Sequence, residues 1–287
     1  MEVASSLREV WQFREVVKNF VSQDLKVKYR RSFLGFFWSL LNPLLHLTVI
    51  SVVFAMLFKF DVRNYALYVL SGLIPWTFFA ATIDGCSMSI IASEGMIKRQ
   101  YFPKLVFPLS VMMQNLITFG LSLVALLVVI GPFSGFRITP ALLILPLSFL
   151  CIVSVAFGIG VIAAVLTVYF RDFQHLISVF MQVWFYLTPI IYPIEAKEHA
   201  VPAAVAMAQP ASEPPEMVDR GPVSHRHRFY FKLNPLYSII EMFHRPLYDA
   251  RLPTNSEILA ATGTAGIALI VGLLVFRRYE DSLIFNL

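Results

Sequence analysis

The stretch ITPALLILPLSFLCIVSVAFGIGVIAAVLTVYF, residues 138–170, contains no aspartate, glutamate, lysine or arginine. A helix that crosses the hydrocarbon core of a bilayer needs about 20 mostly apolar residues, and this stretch supplies them without a break. It does not alternate between apolar and polar positions over about ten residues, as a strand of a transmembrane barrel would. The stretch therefore predicts a membrane-spanning α-helix.

The composition of the whole chain indicates several such helices. Of its 287 residues, 57% are hydrophobic and 14% are charged, whereas a soluble domain carries about 25% charged residues. Cys86 and Cys151 both fall in apolar runs and are interpreted as small buried residues, so no disulfide and no metal site is predicted. We predict an all-α polytopic membrane protein with six spans, at about 34–58, 65–91, 106–130, 140–169, 174–194 and 258–276.

The basic residues orient these spans. Six spans place both termini on one side, and the segments on that side carry thirteen Lys and Arg, against three in the short loops opposite. Because basic residues are enriched in cytoplasmic loops, residues 1–31 and the tail 277–287 are predicted to be cytoplasmic. The membrane domain is 32–276, and its long segment 195–257 lies on the outer side. Most basic residues flank spans, so the net charge of +5 indicates a membrane surface and not nucleic acid.

Residues 1–31 contain an amphipathic helix, which is predicted to lie in the membrane interface. Its apolar positions are Val10, Phe13, Val17, Phe20, Val21 and Leu25, and its polar positions are Arg8, Gln12, Glu15, Asn19, Gln23 and Lys26. Four basic residues then stand at the mouth of the first span: Lys26, Lys28, Arg30 and Arg31. They are either a general positive-inside anchor or an entrance site for a phosphate-bearing lipid, since guanidinium groups match phosphate well.

The segment SEGMIKRQYFPK, residues 93–104, separates the second and third predicted spans on the cytoplasmic side. Ser93 is predicted to cap a short helix that carries Glu94 in its first turn, and Pro103 stops that helix after about two turns. A charged hairpin loop would satisfy the positive-inside rule equally well. The alternative is a short, rigid helix that projects from the membrane domain and fits into another protein.

Several segments together carry a resemblance that covers nearly the whole chain. DLKVKYRRSFLGFFWSLLNPLL, IKRQYFPKLVFP, VYFRDFQH, FYLTPIIYPIE and NPLYSIIEMFHRPLYD resemble the permease subunits of type-2 ABC exporters. The branch they resemble most exports O-antigen (the glycan of lipopolysaccharide), capsule and teichoic-acid polysaccharides. The resemblance implies a multi-pass homodimer in the bacterial cytoplasmic membrane that moves a lipid-linked glycan. It also implies two separate ATPase subunits, which bind ATP and Mg²⁺.

The resemblance assigns roles to particular residues. The segment 93–104 looks like the coupling helix that contacts the ATPase, with a second contact after the fourth span: Glu94, Lys98, Arg99, Gln100, Tyr101, Arg171 and Asp172. Re-entrant helices before the last span look like an outer gate, at Pro189, Tyr192, Asn234, Pro235 and Glu241. Aromatic side chains stack on sugar rings, so four are predicted to line the channel, although each also suits an interfacial aromatic belt: Phe37, Trp38, Trp184 and Tyr186. The segment 196–231 is longer than the corresponding segment usually is in this family.

Three other functions stay open. One is export of a small hydrophobic drug or simple lipid by the same fold. The second is a membrane-embedded glycosyl- or phosphotransferase, and the third is a scaffold or channel that works without ATP. The chain carries no G-x-x-x-x-G-K-[ST] sequence, which would cradle nucleotide phosphates. We therefore predict that it has no cofactor and is not an enzyme by itself.

Overall fold

The computed structural model describes residues 11–29, 41, 45, 62–127, 138–192, 231 and 233–287, and within them the chain is helical and forms no strand. This confirms the all-α fold for the described residues. The helices are α1 Arg14–Tyr29, α2 Val62–Ala92, α3 Glu94–Ile97, α4 Val106–Ala125, α5 Leu145–Tyr169, α6 Phe173–Leu187, α7 Pro235–His244 and α8 Asn255–Tyr279. Short 3-10 helices at Pro140–Ile144 and Asp281–Asn286 precede α5 and follow α8, and a π-helical turn, Arg245–Asp249, follows α7.

Four of the described helices are long and apolar enough to cross a membrane: Leu67–Ala92, Val106–Ala125, Pro140–Tyr169 and Asn255–Tyr279. They correspond to the second, third, fourth and sixth predicted spans. The predicted fifth span, 174–194, extends beyond its helix, because α6 ends at Leu187 and Thr188 is extended before Pro189. Apart from Leu41 and Leu45, the first predicted span lies outside the described residues, so the count of six stays a prediction.

Helix α5 lies at the centre of the bundle and packs against α2 on one side and α8 on the other. It crosses α8 at two glycines that bring the backbones into contact. A Cβ atom added at Gly158 would lie 2.2 Å from the carbonyl oxygen of Ala268, and one added at Gly272 would lie 2.3 Å from that of Gly158. Without a hydrophobic drive between helices in lipid, such close packing of small residues holds spans together.

Helix α2 packs against α4, α5, α6 and α7. Its Phe78 stacks on Phe119 of α4 with ring centroids 4.8 Å apart, and its Trp76 meets Phe185 of α6 at 5.5 Å. Helix α8 instead leaves one side exposed, and that side is apolar: Leu259, Ile267, Ile270 and Leu274. An exposed apolar stripe on a spanning helix is the surface that hydrocarbon covers.

Candidate functional site

The segment 93–104 forms a tight turn between α2 and α4. Its helix α3 has one turn, Glu94–Ile97, and not the predicted two. Ser93 occupies the predicted N-cap position, and its carbonyl accepts from the Met96 and Ile97 N–H groups. Its side chain caps no N–H, because its backbone has a near-helical φ of −102° and ψ of 8°. Ser93 follows directly on α2 and is bonded back to Ile90, so it lacks the extended conformation that a cap needs.

The turn buries Ile97, Pro103 and Lys104 and exposes most of the residues between Gly95 and Tyr101. Ile97 is buried in the core, at 8% exposure. Met96, Gln100 and Tyr101 do not share this burial, since those three side chains are exposed. Lys98 and Arg99 are exposed as well. The exposed side chains therefore form a cationic and aromatic surface, which is fixed to the end of α2 and the start of α4.

The two predicted contacts with the ATPase, one in the segment 93–104 and one at Arg171 and Asp172, lie close enough to interact electrostatically. The Lys98 amine lies 2.6 Å from the Glu94 carboxylate. That hydrogen bond and the charge of Lys98 lower the pKa of Glu94, and the charge of Arg171 lowers it further. Arg171 and Asp172 are exposed in the turn between α5 and α6. The structure thus brings the two turns close together, on the surface that is predicted to meet the ATPase and is referred to below as the cytoplasmic docking surface: Glu94, Met96, Lys98, Arg99, Gln100, Tyr101, Arg171 and Asp172.

Helix α1 has the predicted amphipathic burial pattern but packs on protein. Its outer positions Glu15 and Lys18 are exposed, as is Gln12 just before the helix, and Val21 on the opposite side is buried. The apolar side contacts α4 and the turn before it: Phe20 stacks on Phe107 at 5.9 Å and Phe13 meets Phe102 edge-on at 6.1 Å. Protein side chains therefore cover part of this face.

The predicted entrance residues are only partly described. Lys26 is an exposed residue of α1, and Lys28 lies in its last turn. Arg30 and Arg31 lie outside the described residues, as do the predicted channel aromatics Phe37 and Trp38.

At the opposite end of the bundle, Asn234 joins α6 to α7. Its side-chain oxygen caps α7 by accepting from the Leu236 N–H, and it also accepts from the Trp184 indole at 3.0 Å. Its amide nitrogen donates to the Leu187 carbonyl and to the Thr188 hydroxyl. Asn234, a predicted gate residue, therefore forms hydrogen bonds with both the end of α6 and the start of α7. Pro235 is the first residue of α7, where its fixed φ suits the helix.

A second buried group of polar residues ties α7 to α2, and sequence reasoning missed it. The Tyr68 hydroxyl donates to the carbonyls of Pro189 and Tyr192, at 3.2 and 3.0 Å. The Tyr68 ring stacks on His244 at 4.4 Å. His244 is 2% exposed, and its Nδ1 lies 2.8 Å from the Ser71 hydroxyl. No local sequence signal marks a pair separated by 173 positions.

Ion pairs continue this connection to α8. Arg245 lies 3.4 Å from Glu241, a predicted gate residue, and 2.6 Å from Glu257. Glu257 also accepts from the Thr254 N–H in a capping box that begins α8. The spacing of four between Glu241 and Arg245 is a helical pair that sequence reasoning could have found. Together these bonds hold α7 against the ends of α2, α6 and α8 that lie opposite the segment 93–104.

One narrow side of α2 is exposed although most of that helix is buried. Thr77, Ala81 and Asp84 recur at helical spacing and are exposed. Asp84 stands eight residues before the end of α2, or about 12 Å along the helix. On α6, Tyr186 is 68% exposed, whereas Trp184 is half-buried between Phe79 and Phe180. A carboxylate this deep in a span needs water or a polar partner, because hydrocarbon disfavours the charge.

Residues 15–210 match the sequence family described as ABC-2 type transporter. The chain belongs to this family. Among the ABC-2 relatives, an O-antigen export system permease of Klebsiella pneumoniae is 34% identical over 263 residues, which cover 90% of each chain. The corresponding permease of Myxococcus xanthus is 28% identical over 275 residues, or 96% of each chain.

A more distant ABC-2 relative is the polysialic acid transport protein of Escherichia coli, 20% identical over 266 residues, or 91% of this chain and 92% of that one. The family match includes α1 to α6 and stops at residue 210. The alignments with the relatives cover 90% of the chain or more, so they also include much of α7 and α8. The resemblance stated from the sequence motifs is confirmed.

Proposed function

We propose that the chain is the permease subunit of an ATP-driven exporter that moves a polysaccharide across the cytoplasmic membrane on a lipid carrier. The similarity to O-antigen export permeases over at least 90% of the chain carries this proposal. The cargo class is polysaccharide, as the names of these relatives and of the polysialic acid transporter indicate. O-antigen, capsule and teichoic acid belong to this class.

The energy source is a separate ABC ATPase, which supplies the bound ATP and Mg²⁺. Two permease chains and two ATPases form the complex, with all termini in the cytoplasm. The cytoplasmic docking surface is the part of the permease that meets the ATPase. Its exposed Lys98 and Arg99 stand on a turn anchored by buried Ile97. A polar surface on a rigid turn suits a partner that must push on it.

Movement of the ATPases reaches the spans through this turn. Helix α3 follows α2 after one residue and precedes α4 by a short segment, so displacement of α3 moves both spanning helices. The ring contacts of Phe102 and Phe107 with α1 extend the same rigid unit to the interfacial helix. Nucleotide-driven approach of the two ATPases would thus shift α1, α2 and α4 together.

The cargo path runs along the exposed side of α2 and α6. Thr77, Asp84 and Tyr186 offer a hydroxyl, a carboxylate and an aromatic face on these two helices, groups that bond or stack with sugars. Basic residues at the start, including Lys26, favour the phosphates of a lipid carrier. At the outer end, the hydrogen bonds of Asn234 and the stacking of Tyr68 on His244 keep α7 in place over the path until the helices shift.

Substrate-stimulated hydrolysis tests this function. The permease and its ATPase are reconstituted together in nanodiscs, and ATP hydrolysis is measured with lipid-linked polysaccharide, with the free lipid carrier, and with hydrophobic drugs. Polysaccharide on its carrier is expected to stimulate hydrolysis above both other additions. Stimulation by drugs or simple lipids alone would favour the small-molecule exporter and contradict the proposal.

A further inference from the structure

The last residues of the chain fold back under the helix bundle. After α8 ends at Tyr279, a 3-10 turn covers Asp281–Asn286. Its Leu283 is fully buried, at 0% exposure. The Asn286 amide donates to the Ser282 carbonyl at 2.9 Å and closes the turn. The turn is therefore an ordered element with its own anchor and not a loose end.

This turn is bonded to the end of α5. The Ser282 hydroxyl donates to the Tyr279 carbonyl at 2.7 Å, so the Tyr169 hydroxyl is the donor in its 2.5 Å bond to Ser282. The Tyr169 and Tyr279 rings also meet edge-on at 5.8 Å. Tyr169 stands two positions before Arg171 in the chain. The turn consequently borders the second part of the cytoplasmic docking surface.

The turn exposes two large apolar side chains at this position. Ile284 is 45% exposed and Phe285 is 87% exposed. Phe170, beside Arg171, is 67% exposed. An anchored turn that buries one apolar residue and presents the next two has a surface suited to a protein partner, because aromatic side chains in such positions dominate many interfaces.

A lipid surface fits this turn less well. Arg277 and Arg278 mark the cytoplasmic end of the span, and the acidic pair Glu280 and Asp281 follows them before the turn. An anionic inner leaflet repels acidic side chains. In addition, Leu283 packs toward the bundle, so the turn lies beneath the protein and not out over the surrounding bilayer.

We propose that the turn Asp281–Asn286 is a further docking element for the ATPase, with Ile284 and Phe285 as its contact residues. The proposal rests on the proposed function, because it extends the cytoplasmic docking surface past Arg171. The partner side is an apolar hollow on the ATPase next to an acidic rim that meets Lys98, Arg99 and Arg171. The turn Asp281–Asn286 is thereby part of the coupling between the ATPase and the spanning helices, although its residues belong to no predicted contact.

Cysteine protection tests this directly in nanodiscs of phosphatidylethanolamine and phosphatidylglycerol. The native Cys86 and Cys151 are buried, so a water-soluble maleimide should report single introduced cysteines. Three variants are compared with and without the ATPase: Phe285→Cys, Arg99→Cys on the proposed surface, and Asn255→Cys at the opposite end of α8. We expect bound ATPase to slow labelling of the first two by about tenfold or more, and to leave Asn255→Cys unchanged.

Each other outcome has a definite meaning. If Arg99→Cys is protected and Phe285→Cys labels equally in both states, the C-terminal contact is refuted and the proposed function stands. If Phe285→Cys does not label even without the ATPase, the residue is covered by lipid or protein, which also refutes the contact. If neither is protected in an intact complex, the docking surface itself is misplaced.

Affinity provides an independent readout. Ile284→Ala with Phe285→Ala removes the apolar contact but keeps the Leu283 anchor and the Ser282 bond. We expect about tenfold weaker ATPase binding, since truncation of a central aromatic anchor commonly costs at least that much. The matched control is Ile267→Ala with Ile270→Ala on the exposed side of α8, which should bind as the unchanged chain does. Equal binding by both double variants would overturn the proposal.

Discussion

The crossing of α5 and α8 predicts a large difference between two alanine substitutions in one helix. At Gly272, a Cβ atom would lie 2.3 Å from the carbonyl oxygen of Gly158 and 2.7 Å from its Cα atom. Even close carbon–oxygen contacts are about 3.3–3.6 Å, so the backbones would have to separate by about 1 Å. At Gly266, in the same helix, a Cβ atom would meet nothing within 4 Å.

Two free-energy terms set the expected difference in stability between Gly272→Ala and Gly266→Ala. One applies to both variants, and the other applies only to Gly272→Ala. Replacing glycine by alanine favours an exposed helix by up to about 1 kcal/mol, and this gain applies to both. Overpacking costs about 1–3 kcal/mol, and it applies only at Gly272, where the neighbouring atoms are backbone and cannot rotate away. Gly272→Ala is therefore expected to be less stable than Gly266→Ala by about 1–3 kcal/mol.

Thermal or denaturant unfolding of the purified chain in one mild detergent measures the difference. The melting temperature should follow the order Gly266→Ala, unchanged chain, Gly272→Ala. Gly158→Ala should resemble Gly272→Ala, because its Cβ would lie 2.2 Å from a carbonyl oxygen of α8. If Gly272→Ala melts at or above Gly266→Ala, the backbone contact between α5 and α8 is refuted.

Three further outcomes are expected. Asn234→Ala removes the cap of α7, which alone costs about 1 kcal/mol, and it also removes the bonds of Asn234 to α6. It should therefore speed amide exchange in α7 more than Trp184→Phe does. Equal exchange rates in the two variants would contradict the joint role of Asn234. Because Lys98 lowers the pKa of Glu94, the pair stabilises the turn above the ordinary pKa and is lost only as pH falls through the lowered value. ATPase binding should therefore persist down to about pH 5, and a loss well above that pH would exclude this pair as its cause. Asp84→Cys should react with a small water-soluble thiol reagent in the assembled complex, and no reaction would contradict a water-filled path beside α2.

The sequence predicted features that depend on local composition and periodicity. Charge-free runs of about 20 residues form helices wherever they occur in lipid, because only a helix satisfies its own backbone groups there. The runs at 106–130 and 140–169 accordingly contain α4 and α5. The amphipathic pattern of α1 was also predicted, but this pattern could not reveal that Phe102 and Phe107 cover part of the apolar side of the helix.

Other features depend on contacts between distant positions. His244 meets Ser71 across 173 positions, and Gly158 meets Gly272 across two different helices. No local pattern distinguishes these residues from other small or polar residues in the spans. The side-chain cap predicted at Ser93 is absent for a local reason, since the preceding helix α2 runs directly into Ser93 and holds its backbone near the helical region.

Coupled ATP hydrolysis tests the central claim most directly. The tagged chain is extracted in mild detergent with its ATPase, and hydrolysis is compared between the unchanged complex and the triple variant Glu94→Ala, Lys98→Ala, Arg99→Ala. Arg251→Ala, an exposed cation before α8, serves as the control. We predict that a stoichiometric ATPase co-purifies, that the triple variant loses substrate-stimulated hydrolysis while its membrane insertion is unchanged, and that the control keeps it. Hydrolysis by the permease chain alone, or full stimulation in the triple variant, would contradict the account.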